Sequence, residues 1–292
     1  MRVAVLRCER LPRFVTWEIP DVDALFDDDR RLIEGLARRG VEAESVPWSA
    51  QVDWSTFDLA VLRSTWDYVD RLPEFLAALE AIEGRGCRVR NPVAAVRWNS
   101  DKGYLEDLAR WGVSVVPLIR ARPDDPGPAL RAVAAIGWDE LVVKPVVGVG
   151  AADVTRLPAS HLERHLASAA GPVFVQPFAP SVIDEGEYSY AVIGGEVSHV
   201  VRKRPATGDF RAHGIYGATV EAHAPAAADL AAVHDLYAQL PWELDYARID
   251  VVRYHGRLAV LELELIEPIL YLSLAPGAED RLARAVARDL PG

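Results

Sequence analysis

The run Glu262-Leu-Glu264-Leu-Ile-Glu267-Pro268 sets carboxylates at alternate positions of an apolar, strand-like stretch and places a third where the stretch ends. A period of two puts Glu262 and Glu264 on one face of a strand. Anions held that close repel unless a divalent cation or a cationic ligand stands between them. Asp250, inside the preceding apolar run Tyr-Ala-Arg-Ile-Asp-Val-Val, is a fourth candidate for the same place. Such a set suits a magnesium ion held beside phosphate oxygens. The competing reading is the solvated face of a half-buried sheet, the commoner source of alternating Glu. Metal is preferred because other segments supply the remaining parts of a nucleotide site.

Lys144-Pro145 closes an apolar strand and runs into Val-Val-Gly148-Val-Gly150-Ala-Ala, a cation beside a flexible turn whose amides would face phosphate oxygens. The turn lacks the Gly-Lys-Ser ending of a Walker loop, and a lone Gly-x-Gly also occurs in ordinary hairpins. A second lysine, Lys102, opens a helix in Asn99-Ser-Asp-Lys and would reach the same phosphates. Gln176-Pro177-Phe178 breaks a strand in the manner of a hinge that reads an adenine edge, with Phe178 against its face; a plain strand end is the alternative. Glu187, after Gly186, would accept from ribose hydroxyls. Arg202-Lys-Arg204 and Arg211 bracket Pro-Ala-Thr-Gly-Asp-Phe, a basic cluster suited to a phosphoryl group in transfer, against the alternative of a solvated loop.

These groups need elements to carry them. The first ninety residues alternate β-rich runs (3–6, 42–46, 59–62, 88–90) with amphipathic helical stretches (22–39, 72–82), which is βαβ punctuation and implies an open, mostly parallel sheet. Ligands of such sheets sit beyond the carboxyl ends of the strands, where Arg63, Ser64, Thr65, Trp66 and Asp67 follow a strand at once. Substrate contact competes there with helix capping by Ser64 or Asp67. From Asn91-Pro92 a helix is expected through Trp98 and on to Trp111, then a Pro-rich connector at 121–128, strands at 141–144, near 154 and at 173–176, and a helix at 159–167. Long β runs at 188–193 and 196–202 joined by Gly194-Gly195, a helix at 226–240 and a basic closing helix at 279–289 complete the chain.

The 292 residues fit two or three lobes, and the formal net charge of −11 excludes nucleic acid as the main partner, since phosphate backbones require a basic surface. Cys8 and Cys87 are too few for a disulfide framework. With no signal sequence or spanning run, the expected compartment is the cytoplasm, with no membrane partner.

The order of these parts resembles the ATP-grasp superfamily of carboxylate-amine ligases, from about residue 91 to the end. The motifs stand in family order: Asn99-Ser-Asp-Lys102, Val-Val-Lys144-Pro with its Gly loop, Val-Gln176-Pro-Phe, Gly186-Glu187, Arg204 through Gly-Asp-Phe-Arg211-Ala-His213, Arg-Ile-Asp250 and Glu262-Leu-Glu264. The implied fold class is α/β and α+β: a pre-grasp domain with an open parallel sheet (1–95), a small ATP-grasp lobe (96–178) and a C-terminal lobe with the metal carboxylates (179–292). The resemblance implies ATP and Mg2+ as cofactors, Lys102, Lys144, Gly148 and Gly150 at the phosphates, Gln176 and Phe178 at the adenine and Glu187 at the ribose. It further implies Asp250, Glu262 and Glu264 at the metal, and Arg204, Arg211 and Lys144 in catalysis. The chain departs from the family's Glu-x-Asn in having Glu264, and His213 stands where relatives often carry Asn, so His213 and Glu267 are assigned to the substrate with residues 63–67. The string Leu-Arg-Ser-Thr-Trp-Asp-Tyr, with Glu-Leu-Glu-Leu-Ile-Glu-Pro, further resembles the branch of cyclo-ligases that close O-ureido-serine in cycloserine biosynthesis.

The expected activity is ADP-forming ligation of a small, amino-acid-like carboxylate, activated as an acyl phosphate, to a nitrogen of the same or a second molecule, by a monomer or homodimer. The alternatives are an ATP-binding regulatory protein without turnover and a ligase acting on a protein or peptide terminus.

Overall fold

The computed structural model describes residues 1–11 and 22–290. The chain begins with β1 (Arg2–Arg7), α1 (Asp27–Ala37), β2 (Glu42–Pro47), β3 (Leu59–Ser64), α2 (Leu72–Gly84) and β4 (Arg88–Arg90), whose strands pair in parallel in the order β2-β1-β3-β4. Such a sheet is covered on both faces, and β3 is buried at all six positions, Arg63 and Ser64 included. One face packs on α1 and on the last helix of the chain, α9 (Ala278–Ala287); the other packs on α2. The sheet is thus roofed by a helix from the far end of the sequence.

The expected continuous helix after Asn91 is two: α3 (Val93–Asn99) and α4 (Tyr104–Arg110). Between them the Lys102 amide donates to Val146 O at 2.8 Å and the Asp101 carboxylate accepts from the Gly103 amide at 2.7 Å. Those bonds draw the main chain out of helical register, and they turn Lys102 toward the centre of the molecule. Both helices bury apolar residues, Ala95, Tyr104, Leu105 and Leu108, against the last sheet.

An antiparallel sheet follows, made of β5 (Ile119–Ala121), β6 (Glu140–Pro145), β7 (Thr155–Pro158) and β8 (Val173–Pro177) in the order β5-β8-β6-β7, with α5 (Gly127–Ile136) and α6 (Leu162–Ser168) on its buried face. The short α7 (Ser181–Asp184) leads to a second antiparallel sheet. Its strands are β9 (Glu187–Ile193), β10 (Glu196–Arg204), β11 (Thr219–Ala222), β12 (Tyr246–Tyr254) and β13 (Arg257–Glu264), ordered β11-β10-β9-β12-β13, with α8 (Ala227–Tyr237) packed beside β10. Gly194 and Gly195, with φ of 61° and 92°, form the tight β9–β10 turn, a left-handed pair that side chains resist. Among the described residues no helix is long and apolar enough to cross a membrane.

Two asparagines tie these parts together. Asn91, fully buried, donates to Tyr246 O at 2.9 Å and Leu265 O at 2.7 Å and accepts from the Asp245 amide at 2.9 Å. Asn99 bridges Leu263 O and the Leu265 amide, each at 2.8 Å. Each side chain substitutes for the next strand beyond the end of β13. Since a buried polar group left unpaired costs about 1–3 kcal/mol, Asn91→Ala is expected to destabilise the protein by about 3 kcal/mol or more in urea unfolding. A change below about 0.5 kcal/mol would show that these bonds carry little of the fold.

Candidate active site

The register of the last sheet builds a ladder of charge. Arg248 stands opposite Glu264, Asp250 lies between Glu262 on β13 and Ser189 on β9, and Lys203 on β10 stands opposite Glu187. Asp250 accepts from Arg248 at 2.8 Å, from Ser189 at 2.5 Å and from Lys203 at 3.3 Å. Arg248 also pairs with Glu264, and Lys203 with Glu187. Lys102, delivered by the helix break, reaches Glu262 at 2.6 Å and Gly148 O at 2.9 Å. The like charges at Asp250 and Glu262 would otherwise repel across the strands. The protein's own cations separate them.

Burial and pairing compete at every rung. Burial disfavours the charge of Asp250, but Arg248 and Lys203 outweigh it and hold the carboxyl well below its usual range. Burial likewise opposes the Lys203 charge, and Asp250 and Glu187 more than restore it. Burial raises Glu187 and Glu264 to about 7, offset only in part by Lys203 and Arg248 respectively. Glu267, where burial adds to repulsion from Glu264, is pushed up to about 8 and takes a hydrogen bond from the Tyr68 hydroxyl. Lys144, on β6, donates to Leu261 O at 3.1 Å and is lowered to about 8 by burial. Asp250, Lys203 and Arg248 thus stay charged across the neutral range, while Glu187, Glu264, Glu267 and Lys144 are the groups brought near it.

Above the ladder a cavity separates the two antiparallel sheets. Lys102, Lys144, Gly148, Gly150, Gln176, Phe178, Glu187, Arg211, His213, Asp250, Glu262, Glu264 and Glu267 all line it. Gly186 has to be glycine: its φ is 103°, and a Cβ there would lie 2.7 Å from Lys203 O. Phe178 carries the Arg156 guanidinium at 3.7 Å and meets Phe210 edge-on, while the Gln176 amide is turned into the fold onto Val116 O at 3.0 Å. Arg211 is bound to Asp209 at 2.7 Å and lies over Tyr216 at 3.5 Å. Burial lowers His213 to about 3, so it lines the cavity as a neutral imidazole.

Several expected residues stand elsewhere. Arg204 is on the outward face of β10, half exposed, 3.8 Å from Glu221; strand alternation turns Lys203 inward instead. Arg63, Ser64, Thr65 and Asp67 are buried in the first sheet unit and do not line the cavity. Asp67 accepts from Trp48, Arg71 and the amides of Glu9 and Arg10, so it organises its own loop. Trp66 does reach a small side pocket that continues the cavity, together with Leu25, His213, Arg248, Glu264 and Glu267. Residues that the reading of motifs passed over include Lys203, Arg248, Tyr68 and Tyr104. The signal for the first two was parity, because each is two residues from, or directly across from, an acidic group on the same sheet face.

Oxygen donors on neighbouring strands fit a hard divalent cation. Among the described residues, however, no group of three acidic, His or Cys side chains stands ready to hold a metal. Lys102 and Arg248 hold the carboxylates that would form such a set.

Residues 3–91 match the family model described as "D-cycloserine synthetase DcsG, N-terminal domain". Over 282 residues the chain is 37% identical to the cycloserine biosynthesis protein DcsG of Streptomyces lavendulae, covering 89% of this chain and 92% of that protein. The crystal structure of D-cycloserine synthetase DcsG is similar at a TM-score of 0.84 and 30% identity, with 100% of both chains covered. The D-alanine–D-alanine ligase of Bacillus anthracis, complexed with ATP, shares the fold at a TM-score of 0.70 and 16% identity over 99% of this chain and 96% of that one. The fold is the ATP-grasp fold, with its mixed α/β architecture.

A polyanion placed beside Lys144 favours its charged form and raises a pKa that now stands at about 8. Binding of ATP at pH 8 should therefore take up protons, and affinity should weaken as pH rises through that range. Calorimetry in two buffers of different ionisation enthalpy reads the uptake. It should fall in Lys144→Met, and equal uptake by both proteins would remove Lys144 from the phosphates.

Proposed function

Since the chain belongs to the family of the cycloserine biosynthesis protein DcsG and is an ATP-dependent ligase, we propose that it closes a small amino-acid derivative such as O-ureido-serine into a ring. The carboxylate of the substrate takes the γ-phosphoryl group of ATP, a nitrogen of the same molecule attacks the carbonyl carbon, and phosphate leaves. A carboxylate becomes a competent electrophile only once one oxygen is a phosphate leaving group, so the protein's task is placement and charge neutralisation, without a covalent nucleophile. Lys102 and Lys144 would hold phosphate oxygens, with the amides of the Gly148–Gly150 turn closing over them. Asp250, Glu262 and Glu264 would hold Mg2+, which when bound neutralises and orients the phosphates.

The observation that carries this reading is the pairing of Lys102 with Glu262. This cation and this acidic group both face the cavity and satisfy each other, and a metal nucleotide would offer each a further partner. The side pocket supports a compact substrate. It is lined by Arg248, paired with Glu264, and by Glu267, with Leu25 and Trp66 as apolar walls, so groups of both signs border one small enclosure that continues the cavity. Glu187, engaged with Lys203, would reach ribose hydroxyls only through its remaining oxygen. His213, neutral, would offer the substrate a ring nitrogen without a competing charge.

Purified protein given ATP, Mg2+ and O-ureido-serine should release ADP and phosphate in step with loss of the free carboxylate, without any added amine. Glu262→Gln should lower the rate by on the order of 100-fold or more while unfolding remains cooperative. ADP release that requires a second amine would replace ring closure with intermolecular ligation.

A further inference from the structure

The segment that leaves β13 and carries Glu267 into the cavity has its main chain held by side chains at the five successive carbonyls of residues 266–270 and at three amides. The Tyr246 hydroxyl shares its proton between Leu62 O and Ile266 O, the latter at 2.9 Å, and the Trp66 indole donates to Glu267 O at 3.1 Å. Arg63 donates to Pro268 O at 2.8 Å, Arg248 to Ile269 O at 3.1 Å, and His199 Nε2 bonds Leu270 O at 2.6 Å. Asp28 then accepts from three successive amides, those of Leu270 at 2.5 Å, Tyr271 at 3.1 Å and Leu272 at 3.0 Å. Half of these side chains come from the first sheet unit, which contributes little else to the cavity besides Tyr68.

Asp28 makes the most demanding of these contacts. Three consecutive amides converge on one point only if the main chain curls around it, and at the centre of the curl Tyr271 takes a φ of +55°, a left-handed conformation that side chains disfavour. The Tyr271 ring faces Arg248 at 5.9 Å, so the curl also backs the cation that holds Asp250 and Glu264. Asp28 is in turn 3.7 Å from Arg63, the same guanidinium that grips Pro268 O. Two buried groups of the first unit thus set the path of one loop in the catalytic lobe.

We propose that Asp28, supported by Arg63, is a positioning residue for the acceptor half of the reaction: by fixing the curl at 270–272 it aims Glu267 and braces Arg248, while touching neither nucleotide nor substrate. The inference rests on the proposed placement of the acceptor beside Glu267. It also gives the first unit's buried charges a role in the chemistry that their distance from the cavity conceals.

The test is a double-mutant cycle on the full chain with Asp28→Asn and Glu267→Gln, read by ADP release with O-ureido-serine, by affinity for ATP and by amide hydrogen exchange at 268–272. Asp28→Asn should lower kcat/KM for the acceptor by on the order of tenfold or more, speed exchange at 270–272 and leave ATP affinity within about twofold. In the double variant the losses should be less than multiplicative, because both act through one loop. Arg63→Lys, which keeps the charge but shortens the reach to Pro268 O, should show the same split and serves if Asp28→Asn fails to fold. Faster exchange with an unchanged acceptor constant, a parallel loss of ATP affinity, or multiplicative losses would each overturn the proposal. If the parent protein is inert toward O-ureido-serine, the ring-closing reading fails separately. The cycle is then read with whichever amino acid drives ADP release, and the same split is expected.

Discussion

The site is arranged around one electrostatic constraint: four carboxylates, Asp250 and Glu267 buried and Glu262 and Glu264 half-buried, stand together on and just beyond two adjacent strands. Burying a charge without a partner is prohibitive, and removing one member of a buried pair leaves the other uncompensated. The fold meets this with Lys203 and Arg248 from the same sheet and Lys102 from a separate helix pair. The break between α3 and α4, the inward parity of Lys203 and the cross-strand register of Arg248 are three solutions to one problem. Glu267, with the least cationic support, is the group whose pKa rises furthest among the four.

The same compensation explains how a binding site and a stable fold coexist. Within the protein the charges are paired with one another, lysine on glutamate and arginine on aspartate. On the proposed function, a metal nucleotide would bring both a cation for the carboxylates and anions for the lysines, so that the exchange would conserve pairing on both sides. Binding would then cost little in unpaired charge and leave the energy of the new contacts to orient the reacting groups.

Much of this arrangement was legible in the residues. Alternation at Glu262 and Glu264, the lysine before Pro145 and the glycines of the following turn come together as their spacing suggested, because strand periodicity is a local property. Alternation also held the correction at β10, where parity with Val201 turns Lys203 inward and Arg204 out, yet a cluster of three basic residues does not announce which one faces the site. The helix after Asn91 was misread for a different reason. Helical spacing of apolar residues resumes at Tyr104 beyond the polar Asn99-Ser-Asp-Lys102, and the long-range bond to Val146 together with the local Asp101 turn breaks the helix between them. Residues 63–67 stand at a strand end, a common place for ligands in parallel sheets; here Ser64 is spent on Asp29, Arg63 on Pro268 O beside Asp28, and Asp67 on the loop's own amides, and of the five only Trp66 reaches the side pocket. No local pattern reports a partner two hundred residues away.

The central claim is that the ladder's internal pairs give way to a metal nucleotide at the same atoms. A crystal structure with magnesium and a non-hydrolysable ATP analogue tests it most directly. The account predicts Lys102 released from Glu262 onto a phosphate oxygen, with Asp250 and Glu262 coordinating one ion. Glu262 still paired with Lys102, and the ion bound away from Asp250, would contradict it.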